Sequence, residues 1–201
     1  MRILLFPGSF SPFTDGHYIL IHRYIVYAQE HNIPIDQIKI LMSSKVRDGI
    51  DPKVVYQFVD HLYSNDKRVS VELVKEKQSP IRECYEIVGN TDNIGNSYVF
   101  MRSDKDDDNV ASNFYKDFSK GGKYYVDGIK VEKFDVDLTP DVYYHRKDKY
   151  NKKPISATIA REDIKNKDFE SFKQNYIHIM NNETTIEEKH IKKLFTILCS
   201  K

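Results

Sequence analysis

Arg2-Ile3-Leu4-Leu5-Phe6-Pro7-Gly8-Ser9-Phe10-Ser11-Pro12-Phe13-Thr14-Asp15-Gly16-His17 opens the chain and decides how the rest is read. Residues 2–6 carry four consecutive apolar side chains closed by Pro7-Gly8, the pattern of a short buried strand. Pro7, Gly8, Pro12 and Gly16 punctuate the next stretch. Ile21, Tyr24, Ile25 and Ala28 then recur at helical spacing and give one apolar face. A strand that passes through a tight loop into a helix is the first unit of an α/β fold.

The chain downstream repeats this alternation. Ile38–Met42 reads as a strand. Asp51-Pro52 is an N-cap with proline at the first helical position, opening a helix to about residue 64. Val69–Val74 reads as a strand, and Ser79-Pro80 starts a helix to about Val88. Tyr98–Met101 reads as a strand, and Val110–Phe118 as a helix. Tyr124–Val126 and Ile129–Phe134 flank Asp127-Gly128 and predict a hairpin. Residues 137–154 read as a loop. From Ser156 the pattern is helical, with Thr185-Ile186-Glu187-Glu188 as a capping box for the last helix. Strands alternating with helices predict a parallel sheet covered on both faces, with ligands beyond the carboxyl ends of its strands.

The chain has 201 residues, 40% of them hydrophobic and 30% charged. That suits one domain with an appendage and excludes global disorder. The formal net charge of +1 disfavours nucleic acid as the main partner, while leaving room for a local anion site. Apolar runs are too short for a signal peptide or a membrane span. Cys84 and Cys199 form no CxxC pair and read as reduced thiols of a cytoplasmic protein. His22, His31, His61, His178 and His190 show no metal-ligand spacing.

The loop after the first strand has the residue types of a phosphate site. Gly8 and Gly16 let a ligand approach the backbone. Ser9 and Thr14 offer hydroxyl donors. His17 falls in the first helical turn, where free amides and the helix dipole attract anions, and it can donate to a phosphate oxygen. Thr14-Asp15-Gly16-His17 resembles the (H/T)xGH signature of the nucleotidyltransferase superfamily. The preceding Pro7-Gly8-Ser9-Phe10 with Pro12 looks most like phosphopantetheine adenylyltransferases.

A second candidate is Ile155-Ser156-Ala157-Thr158-Ile159-Ala160-Arg161, which follows Pro154. It resembles the superfamily's ISSTxxR-like signature, in a form closest to nicotinamide or nicotinate mononucleotide adenylyltransferases. Ser156 and Thr158 suit a helix cap that also donates to phosphates, and Arg161 lies one turn further on.

The resemblance implies an α/β fold: a Rossmann-like three-layer sandwich with a mostly parallel central sheet and a helical C-terminal segment. The domain would span 1–166, with an extended segment about 103–154, and residues 167–201 would form a helical extension packed on it. It implies transfer of AMP from ATP to a small phosphorylated acceptor with release of pyrophosphate, Mg²⁺ as cofactor, and no membrane or nucleic-acid partner; a homo-oligomer is left open. Pro7, Gly8, Ser9, Phe10, Gly16, His17, Ile155, Ser156, Thr158 and Arg161 would bind nucleotide. His17, Thr14, Ser9, Lys45 and Arg161 would act in catalysis, and Lys45, Arg102 and Asp104 would face the acceptor. Lys45 is placed only by its position after the second strand, and Arg47 would serve equally. Arg102 with Lys105 matches the pantetheine branch, whereas Asp104 matches the nicotinamide branch. The acceptor therefore stays open between nicotinamide or nicotinate mononucleotide and 4′-phosphopantetheine. A cytidylyltransferase acting on an alcohol phosphate and a non-catalytic nucleotide-binding module are the alternatives. Asp104, Asp106, Asp107 and Asp108 lack a calcium-loop spacing and read as a solvated turn, so no protein metal site is expected.

Overall fold

A computed structural model describes residues 1–101, 108–137, 155–182 and 184–200. The strands are β1 (Arg2–Gly8), β2 (Gln37–Met42), β3 (Val69–Leu73), β4 (Ser97–Phe100) and β5 (Lys130–Val131). Between and after them run α1 (Asp15–Glu30), α2 (Pro52–Leu62), α3 (Pro80–Gly89), α4 (Asp108–Phe118), α5 (Ala157–Lys165), α6 (Phe169–Lys173), α7 (Ile177–Asn181) and α8 (Glu188–Cys199). The sheet order is β3-β2-β1-β4-β5, and each neighbouring pair is parallel. This is the parallel sheet that the alternating pattern predicts, in the Rossmann-like α/β architecture that the resemblance implies.

The strand alternation divides the core in two. Leu4, Phe6, Ile38, Ile40, Met42 and Val99 face one layer, with side chains of α1, α2 and the C-terminal helices. Ile3, Leu5, Leu41, Tyr98 and Phe100 face the other, with Cys84, Val88, Phe114 and Phe118 of α3 and α4. Successive strand residues point to opposite faces, so a strand covered on both sides must be apolar throughout. β1 lies in the middle, and the order reverses between β1 and β4. The loop after β1 therefore opens at the switch point, where ligands bind in such sheets.

Local signals hold at several helix starts. Asp51 Oδ1 accepts from Lys53 N at 2.9 Å, and Ser79 Oγ accepts from Arg82 N at 3.1 Å, each before a proline at N1. Two expectations are corrected. Asp127-Gly128 does not join a hairpin. Gly128 O accepts from Gly95 N at 2.8 Å and Lys130 N donates to Asn96 O at 3.0 Å, so the following strand pairs in parallel with β4. The last helix is capped two residues later than the Thr185 box implies. Thr185 Oγ1 donates to His61 O at 2.9 Å, and Glu187 becomes the N-cap.

The C-terminal helices share the first core layer through Phe172, Tyr176, Ile179, Ile191, Leu194 and Leu198. Asp15, fully buried, ties them to the first loop: its two carboxylate oxygens accept from His178 N at 2.7 Å and Ile179 N at 2.9 Å. Burial pushes the Asp15 carboxyl up to about 7, against the opposing pull of those backbone donors. Its ordinary value is 3.8. Between the two, the folded chain holds a proton that the unfolded chain has released, so stability rises as pH falls through that range. Above about 7 the carboxylate is ionised in both states and its burial cost is felt in full. Asp15→Asn has no such titration. Relative to that variant, the native chain should gain roughly 1–4 kcal/mol in urea unfolding between about pH 8 and pH 4. A difference that stays constant with pH contradicts this.

Candidate functional site

The first loop is shaped by an aromatic cluster. Phe10 has φ +44°, a left-handed backbone that drives its ring back over Gly8. A Cβ on Gly8 would sit 2.6 Å from the Phe10 ring. Gly8 thus makes room for a side chain of its own loop, and it also lines the cavity described below. The Phe10 ring packs against Phe6, Phe13 and His17 at centroid distances of 5.0, 5.6 and 5.1 Å, edge-on to the imidazole.

His17 is held from its other side by the backbone. Thr14 is the N-cap of α1 and His17 is its third residue. Thr14 N donates to His17 Nδ1 at 3.0 Å, and Thr14 Oγ1 lies 3.3 Å from the same nitrogen. A backbone N–H can only donate, so Nδ1 is the acceptor and the ring proton resides on Nε2. The ring is a hydrogen-bond donor at its outer nitrogen. The same bond recurs at α8, where Glu187 N donates to His190 Nδ1 at 3.0 Å. The bond alone is a capping device; its setting distinguishes His17.

That setting is a cavity of about 300 Å³ lined by Pro7, Gly8, Ser9, Phe10, Ser11, Thr14, Gly16 and His17 from the first loop. Ile155, Ser156, Ala157, Thr158 and Arg161 line it from the second motif. The two motifs, 138 residues apart from His17 to Ile155, share one site. Ser156 caps α5 by accepting from Ile159 N at 3.2 Å, leaving its own proton and the amides of Ala157 and Thr158 for a ligand. Arg161 spans the motifs: Nη1 donates to Ser11 O at 2.6 Å and Nη2 to Thr158 Oγ1 at 3.1 Å. Helix amides, hydroxyls, a histidine donor and arginines make a cavity for a polyanion. Among the described residues that line it, none is a carboxylate.

The basic group that reaches this cavity from the β2–α2 loop is Arg47, whose Nη1 lies 3.4 Å from Ser9 Oγ. Lys45 is exposed and outside the lining. Arg47, Asp48 and Ser11 are the site neighbours that the motifs do not name. The Asp48-Gly49 dipeptide, a turn signal just before the Asp51 cap, is the sequence feature that points to them. Arg102, Asp104 and Lys105 lie outside the described residues. Among the described residues no group of three or more His, Cys, Asp or Glu is placed to hold a metal, and no helix is long and apolar enough to cross a membrane.

No protein-family model matches the chain. Over 173 residues it is 25% identical to a phosphopantetheine adenylyltransferase of Mycoplasma capricolum subsp. capricolum, covering 81% of this chain and 96% of that protein. Over 72 residues it is 33% identical to a phosphopantetheine adenylyltransferase of Phocaeicola vulgatus, covering 36% of this chain and 44% of that protein.

The contact of Gly8 with Phe10 generates a direct test. Gly8→Ala should cost about 1–3 kcal/mol in denaturant unfolding, the usual range for overpacking. Adding Phe10→Ala should recover part of that loss, whereas additive losses would separate the two residues.

Proposed function

We propose that the chain, a member of the nucleotidyltransferase superfamily, transfers AMP from ATP to the phosphate of 4′-phosphopantetheine and releases pyrophosphate. The observation that carries the adenylyl transfer is the convergence of His17, fixed as an Nε2 donor, with the α5 N-terminus and Arg161 in one cavity. The printed names of the two relatives favour the pantetheine acceptor over nicotinamide or nicotinate mononucleotide.

An oxygen of the acceptor phosphate attacks the α-phosphorus of ATP, a new P–O bond forms, and the bond from the α-phosphorus to the bridging oxygen breaks. Pyrophosphate takes the electron pair. The attacking oxygen is already ionised, so no general base is required. What the protein must do is align two anions and cancel their repulsion. His17 donates from Nε2 to the phosphate chain as charge grows on the leaving side. Ser9 and Thr14 position the α-phosphate, and Thr14 also sets the His17 ring. Ser156, the first amides of α5 and Arg161 hold the β- and γ-phosphates. Arg47, which the sequence reading held equal to Lys45 for this role, supplies charge toward the acceptor. Among the described residues the cavity wall offers hydroxyls and no carboxylate, which fits Mg²⁺ that would be carried by the triphosphate oxygens and water and would neutralise their charge.

Pyrophosphate release from ATP and Mg²⁺ should appear with 4′-phosphopantetheine. It should be absent with nicotinamide mononucleotide, nicotinate mononucleotide, and glycerol phosphate plus CTP. Release with another acceptor alone would reassign the substrate; ATP binding with no release from any pair would make the chain a nucleotide-binding module. His17→Ala should lower kcat at least about a hundredfold with the fold intact, as for loss of one preorganised donor. Near-normal turnover would remove His17 from the mechanism.

A further inference from the structure

We propose that the turn Arg47-Asp48-Gly49-Ile50 is a third element of the nucleotide site, with Asp48 as the positioning residue for Arg161. The proposal rests on the reading that the cavity holds a nucleoside triphosphate, and it adds a residue that neither motif contains.

The turn is built to hold its shape. Asp48 and Gly49 have φ of +52° and +79°, the left-handed pair that a tight two-residue turn requires. Ile50 N donates to Arg47 O at 2.9 Å, and the two residues form an antiparallel bridge. Both flanks are anchored. Ser43 N donates to Gly8 O at 3.0 Å, Ile50 is buried, and Asp51 caps α2.

From this turn Asp48 Oδ2 reaches Arg161 Nε at 2.9 Å and lies 3.9 Å from Arg47 Nε. Arginine carries five N–H donors. Arg161 gives one to Ser11 O and one to Thr158 Oγ1, which leaves one on each terminal nitrogen, while Asp48 holds the guanidinium as an ion partner on its Nε side. The three anchors come from three segments of the chain and fix the guanidinium plane. The side chain is only 12% exposed. The carboxylate also stands between two guanidinium groups that would otherwise repel across one cavity.

A carboxylate beside a triphosphate site has an opposing effect, since it repels the ligand. Its side chain is 45% exposed, so that repulsion is screened by water and salt. An unanchored arginine must instead give up its rotamer freedom each time nucleotide binds. Anchoring outweighs repulsion, so loss of Asp48 weakens the triphosphate.

The test is calorimetric binding of Mg²⁺-ATP and of AMP to the full chain. Asp48→Gly removes the carboxylate and suits the left-handed position, and Asp48→Asn keeps the turn and one acceptor. Asp48→Gly should weaken ATP about tenfold while moving AMP less than about twofold, because AMP has no β- or γ-phosphate for Arg161 to hold. Asp48→Asn should fall between. In an Arg161→Ala background, which has no cation for Asp48 to hold, Asp48→Gly should not weaken ATP further. Equal weakening of ATP and AMP would reduce Asp48 to a structural role, and unchanged or tighter ATP would make it a bystander or a competitor; either overturns the proposal. If Asp48→Gly fails to fold, unchanged ATP affinity in Asp48→Asn overturns it equally. Failure of the native chain to bind ATP would overturn the functional reading itself.

Discussion

One hydrogen bond organises the functional end of this molecule: the donation from Thr14 N to His17 Nδ1 at 3.0 Å. It begins α1, satisfies an N-cap amide that would otherwise be orphaned in a buried loop, and selects the tautomer of the ring. The surrounding structure serves to keep it. Phe10 is forced into a left-handed backbone and Gly8 is kept bare, so that an aromatic edge can brace the imidazole. Between Thr14 and His17, Asp15 turns inward to hold α7, so the loop that carries the histidine cannot shift without disturbing the C-terminal helices. A histidine oriented this way is a directed dipole, ready to stabilise charge without waiting to be reoriented.

The parallel sheet explains why two distant motifs meet. β1 occupies the middle of the sheet beside β4, and the strand order reverses there. The β1 loop therefore opens into a crevice, and α5 delivers its N-terminus to it. Arg161 closes the arrangement by bonding to Ser11 O in the first loop and to Thr158 in its own helix. The resulting cavity has helix amides and hydroxyls on one wall, a histidine donor on the other, and arginines at its edge. Among the described residues its lining carries no carboxylate, and Asp48 stands behind it as the ion partner of Arg161. The His190 cap at α8 shows that backbone-to-imidazole bonding is a general device. Placed at the switch point of the sheet, it faces an anion cavity.

Features encoded within a few residues were legible in the sequence. The β1 run, the Pro-preceding caps at Asp51 and Ser79, and both motif loops depend on local backbone chemistry. What escaped depends on partners far along the chain. Asp127-Gly128 has the composition of a hairpin turn, but the Gly95 amide takes the carbonyl of Gly128 and Asn96 the amide of Lys130, which draws the next strand into parallel pairing. Thr185 has a cap's chemistry but spends its hydroxyl on the His61 carbonyl. Lys45 and Arg47 were interchangeable by type. The left-handed turn at Asp48-Gly49 sends Arg47 toward Ser9, while Lys45 lies outside the cavity lining. The packing of Phe10 over Gly8 could not be read, because the positive φ of Phe10 has no sequence signature.

The most direct test of the account is the nitrogen-15 spectrum of the His17 ring, assigned against His17→Ala, in the resting protein near neutral pH. The bond from Thr14 requires Nδ1 to appear as an unprotonated acceptor and Nε2 as the protonated nitrogen. It also requires that pattern to persist when Mg²⁺-ATP is added. A proton on Nδ1, or rapid exchange between the two tautomers, would contradict it and would leave the first motif as a loop that merely contains a histidine.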